Sequence, residues 1–417
     1  MHLACVDCAA RHPAEMLYAC SRCGGILEVA DPARLPRPIA GAGMWAADAA
    51  LGVADPAMVA TLGEGATPLH RVPRLAAAIG AAGDLRIKDE TVNPTGSFKD
   101  RAVAAAVARA RELGLPGIVC ASSGNAGASA AAYAARAGLP AIIVVPARTP
   151  AEKLTQIAAY GARLVQVEGH YSKAYDVGLE IARRHGFANV TTTYLNPYGV
   201  DALKTVGHEV FDQMEGTVPD WILVPTGAGP LVKGVVQGFR ERSPGRRPRL
   251  VAVQAEGCAP IARAFASGER EVRAWGPPTT FASGISDPLV GYERDGTHTL
   301  DLVIASGGLA VAVEDAAIRQ AMALLARSEG ILAEPTGASS VAALAVLLAD
   351  GRIARDATVV CLVTGHGFKD LKVWRDMPAD IRHLADPADA DRLVETTLAG
   401  GTAASGATGG QPLRDAS

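Results

Sequence analysis

A lysine that must act as a nucleophile needs a setting that disfavours its ammonium form, and Lys99 is placed in one. It closes the run Lys88-Asp-Glu-Thr-Val-Asn-Pro-Thr-Gly-Ser-Phe-Lys99 and is followed by Asp100 and Arg101. A strand is expected to end near Lys88, and Asn93, Pro94 and Gly96 supply a turn. Ser97, with Asp100 three residues on, has the spacing of a helix N-cap and its acidic partner. This predicts Lys99 in the first helical turn, where the dipole and free amides raise the local positive potential. The ε-amine is then more easily neutral, as Schiff-base formation with a carbonyl requires. Taken alone, the run also suits a solvated surface lysine.

Three further motifs repeat one plan: an apolar run, a small-residue loop, then a helical pattern. Ala121-Ser-Ser-Gly-Asn-Ala-Gly127 offers helix-start amides for an anion such as a carboxylate, and Asn125 offers an amide to a phenolic oxygen. Val224-Pro-Thr-Gly-Ala-Gly-Pro-Leu231 offers successive free amides suited to a dianionic phosphate. Pro230 suits the first helical turn, where its missing N–H costs nothing. The glycine spacing matches neither a dinucleotide fingerprint nor a Walker loop. Val363-Thr-Gly-His-Gly-Phe-Lys-Asp370 adds the Thr364 hydroxyl, which can face a ring nitrogen, and His366, which reads either as a base or as a packed loop histidine. Separately, Cys5-x₂-Cys8 and Cys20-x₂-Cys23 can give four thiolates to a tetrahedral zinc ion.

These residues have to be held by a framework. From residue 57 on, strand-like runs alternate with alanine-rich helical runs, which argues for α/β structure with parallel sheets covered on both faces. Strands are expected over 85–88, 117–121, 141–145, 163–167, 221–224, 250–254 and 358–362. Helices are expected over 99–113, 126–137, 150–160, 171–185, 231–242, 315–328 and 338–348. At 417 residues the chain exceeds one ordinary core. Residues 1–30 form a small module and 31–56, rich in Pro, Ala and Gly, a connector. Residues 57–102 with 201–385 form a large domain, 103–200 a small one, and 386–417 a tail whose last part is not expected to pack. A formal charge of −3 gives no reason to expect nucleic acid or an acidic membrane as partner. No signal peptide or spanning segment is read, so a cytoplasmic protein is expected. A homodimer is expected from base rates alone.

Taken together, Gly63-Glu-Gly-Ala-Thr-Pro-Leu69, Asn93-Pro-Thr-Gly-Ser-Phe-Lys-Asp-Arg101, Ser122-Ser-Gly-Asn125, Ala151-Glu-Lys153 and Thr364-Gly-His-Gly-Phe-Lys-Asp370 resemble threonine synthase and its relatives among the tryptophan-synthase-β-like enzymes. The resemblance runs from Cys5 to about Lys372. It implies pyridoxal 5′-phosphate and fold type II: two three-layer domains with mostly parallel sheets, here preceded by a zinc-ribbon-like module holding structural zinc at Cys5, Cys8, Cys20 and Cys23. It implies that Lys99, beside Phe98, carries the cofactor and that Asn125 meets its 3-oxygen. Gly227, Ala228, Gly229, Pro230 and Leu231 would hold its phosphate, and Thr364 would face its ring nitrogen. Ser122, Ser123 and Gly124 would lie by the substrate carboxylate.

Two positions depart from the family pattern. Ala126 stands where a threonine is usual, and Gly199 where an arginine is expected to grip the phosphate of O-phosphohomoserine. Loss of such a contact costs ~1.5–3 kcal/mol. Lys204 is the candidate substitute. The leading expectation is conversion of O-phosphohomoserine and water to threonine and phosphate. The alternatives are an ammonia-lyase acting on threonine or serine, a β-replacement synthase, and a non-catalytic cofactor-binding homologue.

Overall fold

The computed structural model describes residues 1–37, 39–46, 50–169 and 171–375, together with 378–379, 390, 394–395, 397 and 411–412. The expectation for the tail falls mostly outside the described residues. Residues 1–369 form one compact unit and residues 370–417 a second. In chain order the first unit runs β1 (His2–Cys5), β2 (Arg11–His12), β3 (Leu27–Ala30), β4 (Leu69–Arg71), α1 (Pro73–Ile79), β5 (Leu85–Asp89) and α2 (Lys99–Glu112). Then follow β6 (Ile118–Ala121), α3 (Asn125–Ala137), β7 (Ala141–Pro146), α4 (Ala151–Ala159), β8 (Arg163–Val167), α5 (Tyr171–His185), β9 (Ala188–Asn189), α6 (Pro197–Ala202) and α7 (Lys204–Gln213). It closes with β10 (Trp221–Pro225), α8 (Pro230–Arg242), β11 (Arg249–Ala255), α9 (Pro260–Ser267), α10 (Glu293–Ala305), β12 (Leu309–Val313), α11 (Asp315–Glu329), α12 (Pro335–Ala349) and β13 (Val359–Val363). The second unit contains α13 (Leu371–Arg375) and the antiparallel pair β14 (Pro378–Ala379) and β15 (Gln411–Pro412).

Three sheets organise the first unit. The large one has the order β12-β11-β10-β13-β5-β4, and only β4 runs antiparallel to its neighbour. The four-stranded sheet, β8-β7-β6-β9, is parallel throughout. The central strands β10 and β13 are buried at every residue, Trp221-Ile-Leu-Val-Pro225 and Val359-Val-Cys-Leu-Val363. Unbroken apolar runs of this kind belong to strands with helices on both faces. At the edge, β4 (Leu-His-Arg) is short, polar and half-exposed, which discourages further pairing. The third sheet, β2-β1-β3, is antiparallel and carries the four N-terminal cysteines on and around it.

The registers place the loops. Val363 pairs with Asp89, and Leu223 with Cys361, so β5, β13 and β10 end side by side. The segments after them, 90–98, 364–367 and 226–229, therefore leave one edge of the large sheet. Helix α2 is buried from Asp100 to Ala110. Its alanine side chains keep it thin enough to serve two cores: Ala102 lies in the core of the large sheet, while Val103 to Ala108 and Ala110 pack in that of the small one. Strand β9 was not anticipated, because two residues are too few for an alternation to be read. Nor was β4, a three-residue strand, or α10, whose start Glu-Arg-Asp-Gly is polar.

Candidate active site

Lys99 is the first residue of α2, but not for the reason its spacing suggests. The residue preceding the helix is Phe98, with no side-chain cap, and the buried hydroxyl of Ser97 has no partner among the described residues. Asp100 instead reaches back, accepting from the Thr95 amide at 2.7 Å and the Thr95 hydroxyl at 2.6 Å. The turn is therefore fixed from inside the loop. It is also stitched to the loop after β13, since the Phe98 amide donates to Thr364 O (3.1 Å) and the His366 amide to Gly96 O (2.9 Å).

The amine of Lys99 points across to the small sheet, with Nζ 3.5 Å from Thr192 O and 4.7 Å from the centre of the Phe98 ring. Burial lowers its pKa to about 8, against the opposing pull of Cys120, Asp287 and Glu334. Desolvation is thus the main cause of the shift, ahead of any helix dipole. Asp287 and Glu334 were not anticipated. Glu334 is buried and accepts from Asn125 Nδ2 at 2.8 Å, which joins the loop after β6 to the start of α12. Glu334-Pro-Thr-Gly is itself an acidic residue ahead of a proline-started helix, so the local sequence did carry a signal. Asp287 accepts from the Tyr292 hydroxyl (2.7 Å) and the Leu289 amide (3.1 Å), and burial raises its pKa.

The loop from Thr226 to Gly229 is held by its carbonyls. Gln254 Nε2 lies 3.5 Å from Gly227 O, the Thr299 hydroxyl donates to Ala228 O at 2.7 Å, and the Tyr194 hydroxyl to Gly229 O at 3.1 Å. With the carbonyls tied back, the amides of Gly227, Ala228 and Gly229 have no partner among the described residues. Gly229 has φ of 108°, and a Cβ there would lie 2.0 Å from Thr299 Oγ1, so only glycine fits. Pro230 opens α8, and Leu231 follows with a first-turn amide.

Thr364 is buried and its hydroxyl has no partner among the described residues. An orphaned donor in a folded core implies a missing acceptor. His366 accepts from the Phe368 amide through Nδ1 (3.1 Å) and packs on the Phe368 ring, the loop-histidine alternative. Ser122, Ser123 and Gly124 lie at the start of α3, half-buried to exposed. Ala126 is buried in the core of the small sheet.

The geometry corrects the role read for Lys204. Its side chain is buried and its ammonium is bound to Asp201 (2.9 Å) and Glu241 (3.4 Å). Two carboxylates thus offset the charge that a substrate phosphate would need. Gly199 is closely packed, since a Cβ there would sit 3.0 Å from Ala102 O.

The four cysteine sulfurs lie within 4.8 Å of one another, a donor set that fits tetrahedral zinc. The module is pinned to the catalytic body by Glu28–Lys233 (2.9 Å), Asp7–Arg294 (3.4 Å) and the Tyr198 hydroxyl donating to Glu15 O (2.9 Å).

Two parallel sheets with a desolvated lysine between them, three free loop amides and an orphaned hydroxyl suit a phosphorylated pyridine aldehyde, and they define a pyridoxal-phosphate enzyme of fold type II. Known proteins narrow the class. The family model for pyridoxal-phosphate dependent enzymes matches residues 60–365. Threonine synthase of Methanocaldococcus jannaschii is 37% identical over 88% of this chain and 92% of its own length. That of Mycobacterium leprae is 35% identical over 83% and 92%. Among solved structures, a fungal L-serine ammonia-lyase from Rhizomucor miehei superposes with a TM-score of 0.63 at 25% identity, covering 72% of this chain and 93% of that one. The chain belongs to the threonine-synthase-like family of pyridoxal-phosphate-dependent lyases. No described helix is long and apolar enough to cross a membrane.

Proposed function

We propose that the protein is a threonine synthase, converting O-phosphohomoserine and water to threonine and phosphate. The observation that carries the reading is Lys99, an amine desolvated to a pKa of about 8 in a chain whose curated relatives of 34–37% identity bear that name. When bound, pyridoxal phosphate supplies an electron sink conjugated to the substrate amine. Lys99, flanked by Phe98, holds the cofactor and moves the proton at Cα. The amides of Gly227, Ala228, Gly229 and Leu231 take its phosphate at the start of α8, where Pro230 has no N–H to lose. Asn125, braced by Glu334, meets the 3-oxygen, and the Thr364 hydroxyl satisfies the ring nitrogen. A neutral partner leaves that nitrogen less cationic than a carboxylate would, which favours elimination at Cβ or Cγ over transamination. Ser122, Ser123 and Gly124 receive the carboxylate at the start of α3.

The second reading is a lyase releasing ammonia and a keto acid from threonine or serine, or a β-replacement synthase. Ala126 and Gly199 favour it, since the first lacks the usual hydroxyl and the second has no side chain to reach toward a substrate phosphate. A non-catalytic role is disfavoured by the intact Lys99. Assaying the holoenzyme for phosphate release from O-phosphohomoserine and for keto-acid release from threonine and serine separates the readings. Phosphate release with stoichiometric threonine is expected, and keto acid alone would overturn the proposal. The rest of the reading, a cytoplasmic homodimer without nucleic-acid or membrane partners, is supported by the near-neutral charge, by apolar runs too short to span a bilayer and by base rates.

A further inference from the structure

We propose that a cavity at the carboxyl edge of the small sheet is the subsite for the distal anionic group of the substrate, with Arg148 and Lys153 as its cations. This rests on the threonine-synthase reading and says where the leaving phosphate is held. The cavity measures about 520 Å³, and Ser123, Arg148, Thr149, Lys153 and Glu168 are among its lining residues. That volume lies within the roughly 300–1,000 Å³ of small-ligand sites.

Its place in the fold is the first argument. It opens where β7 ends at Pro146 and β8 at Val167, outside the carboxyl ends of parallel strands, where open α/β sheets bind ligands. Ser123 brings into its wall the loop that leads to Asn125.

The second argument is direction. Lys153 and Gln156 are three residues apart on α4 and so share a face. Gln156 Nε2 lies 3.3 Å from Thr95 O, and its Oε1 accepts from Lys369, which also donates to Thr95 O at 3.1 Å. The face carrying Lys153 is thereby turned to the segment that delivers Lys99.

Charge is the third. Arg148 and Lys153 line the cavity together with Glu168, and among the described residues neither cation is in an ion pair or hydrogen bond through its side chain. Lys204, by contrast, is neutralised by two carboxylates. Where position 199 offers no cation, this cavity has two that are uncommitted among the described residues. They could bind phosphate as a fork and a point charge.

The test uses the holoenzyme, whose cofactor cradle is filled, and inorganic phosphate as probe in titration calorimetry. Arg148→Gln/Lys153→Gln should weaken phosphate binding at least tenfold. Glu168→Gln should tighten it about threefold by removing a like charge. Homoserine, which has no phosphate, should bind as before. In turnover the double variant should raise KM for O-phosphohomoserine more than it lowers kcat. Phosphate binding unchanged within twofold, with cofactor absorbance and melting temperature retained, would overturn the subsite. Should the double variant not fold, the Lys153→Gln and Glu168→Gln single variants read the same binding, with opposite signs expected. A wild type that binds phosphate through these residues but releases none from O-phosphohomoserine would sink the function while leaving the subsite standing.

Discussion

The chemistry of Lys99 depends on how easily one proton leaves. With the amine at about 8 and an ordinary lysine at 10.5, half of the chains are neutral at pH 8, where roughly one lysine in three hundred would be. Cofactor capture by the apo-protein should therefore accelerate as pH rises through about 8 and level off above it, as stopped-flow absorbance can follow. An inflection near 10.5 would show that burial does not govern the amine. The same shift has a stability consequence. Between pH 8 and 10.5 the unfolded chain holds the extra proton, so apo-protein stability rises with pH across that window. Lys99→Ala removes both effects and should abolish turnover, while circular dichroism and the melting temperature remain those of a folded chain.

The loop from Glu90 to Phe98 and helix α2 are aimed by a buried ion network. Arg101 donates to both oxygens of Glu90 (2.7 Å each) and both of Glu209 (2.6 and 2.7 Å), while Lys88 binds Glu209 from the other side at 2.7 Å. Arg101 and Glu90 are fully buried. Removing one partner strands the others in the core, so Arg101→Met should destabilise by ~3–5 kcal/mol in urea unfolding. Arg101→Lys should recover little, because one ammonium cannot serve two carboxylates in a planar fork. The guanidinium holds the carboxyls of Glu90 and Glu209 below their ordinary range. The contribution of this network is fully present above pH 4.5 and is lost as the pH falls below it. In Arg101→Met that acid-side loss should shrink, which unfolding at pH 7 and pH 4 compares directly.

The N-terminal module acts on the molecule as a clamp. Arg294 and His298 of α10 and Lys233 of α8 face its Asp7 and Glu28, and α10 also carries Thr299, which ties back the loop at Ala228. Metal analysis should find one zinc per chain. Its removal by chelation, or Cys5→Ser with Cys20→Ser, should lower the melting temperature and weaken pyridoxal-phosphate affinity together. A drop in melting temperature with cofactor affinity intact would confine the module to stability.

Much of this was written locally. The buried apolar runs of β10 and β13 declared a covered parallel sheet, and the strand–loop–helix motifs around Lys99, Asn125, Gly227 and Thr364 fell where the segments leave that sheet or its smaller neighbour. Short-range signals suffice there, because turn geometry and helix starts are settled within a few residues. Other features were settled only when distant segments met. Asp100 turned back to Thr95 and left the helix without a side-chain cap, Glu334 came to Asn125 from 209 positions away, and Asp201 with Glu241 claimed Lys204. The charge a residue can offer depends on which groups share its desolvated space, and that neighbourhood exists only in the folded chain.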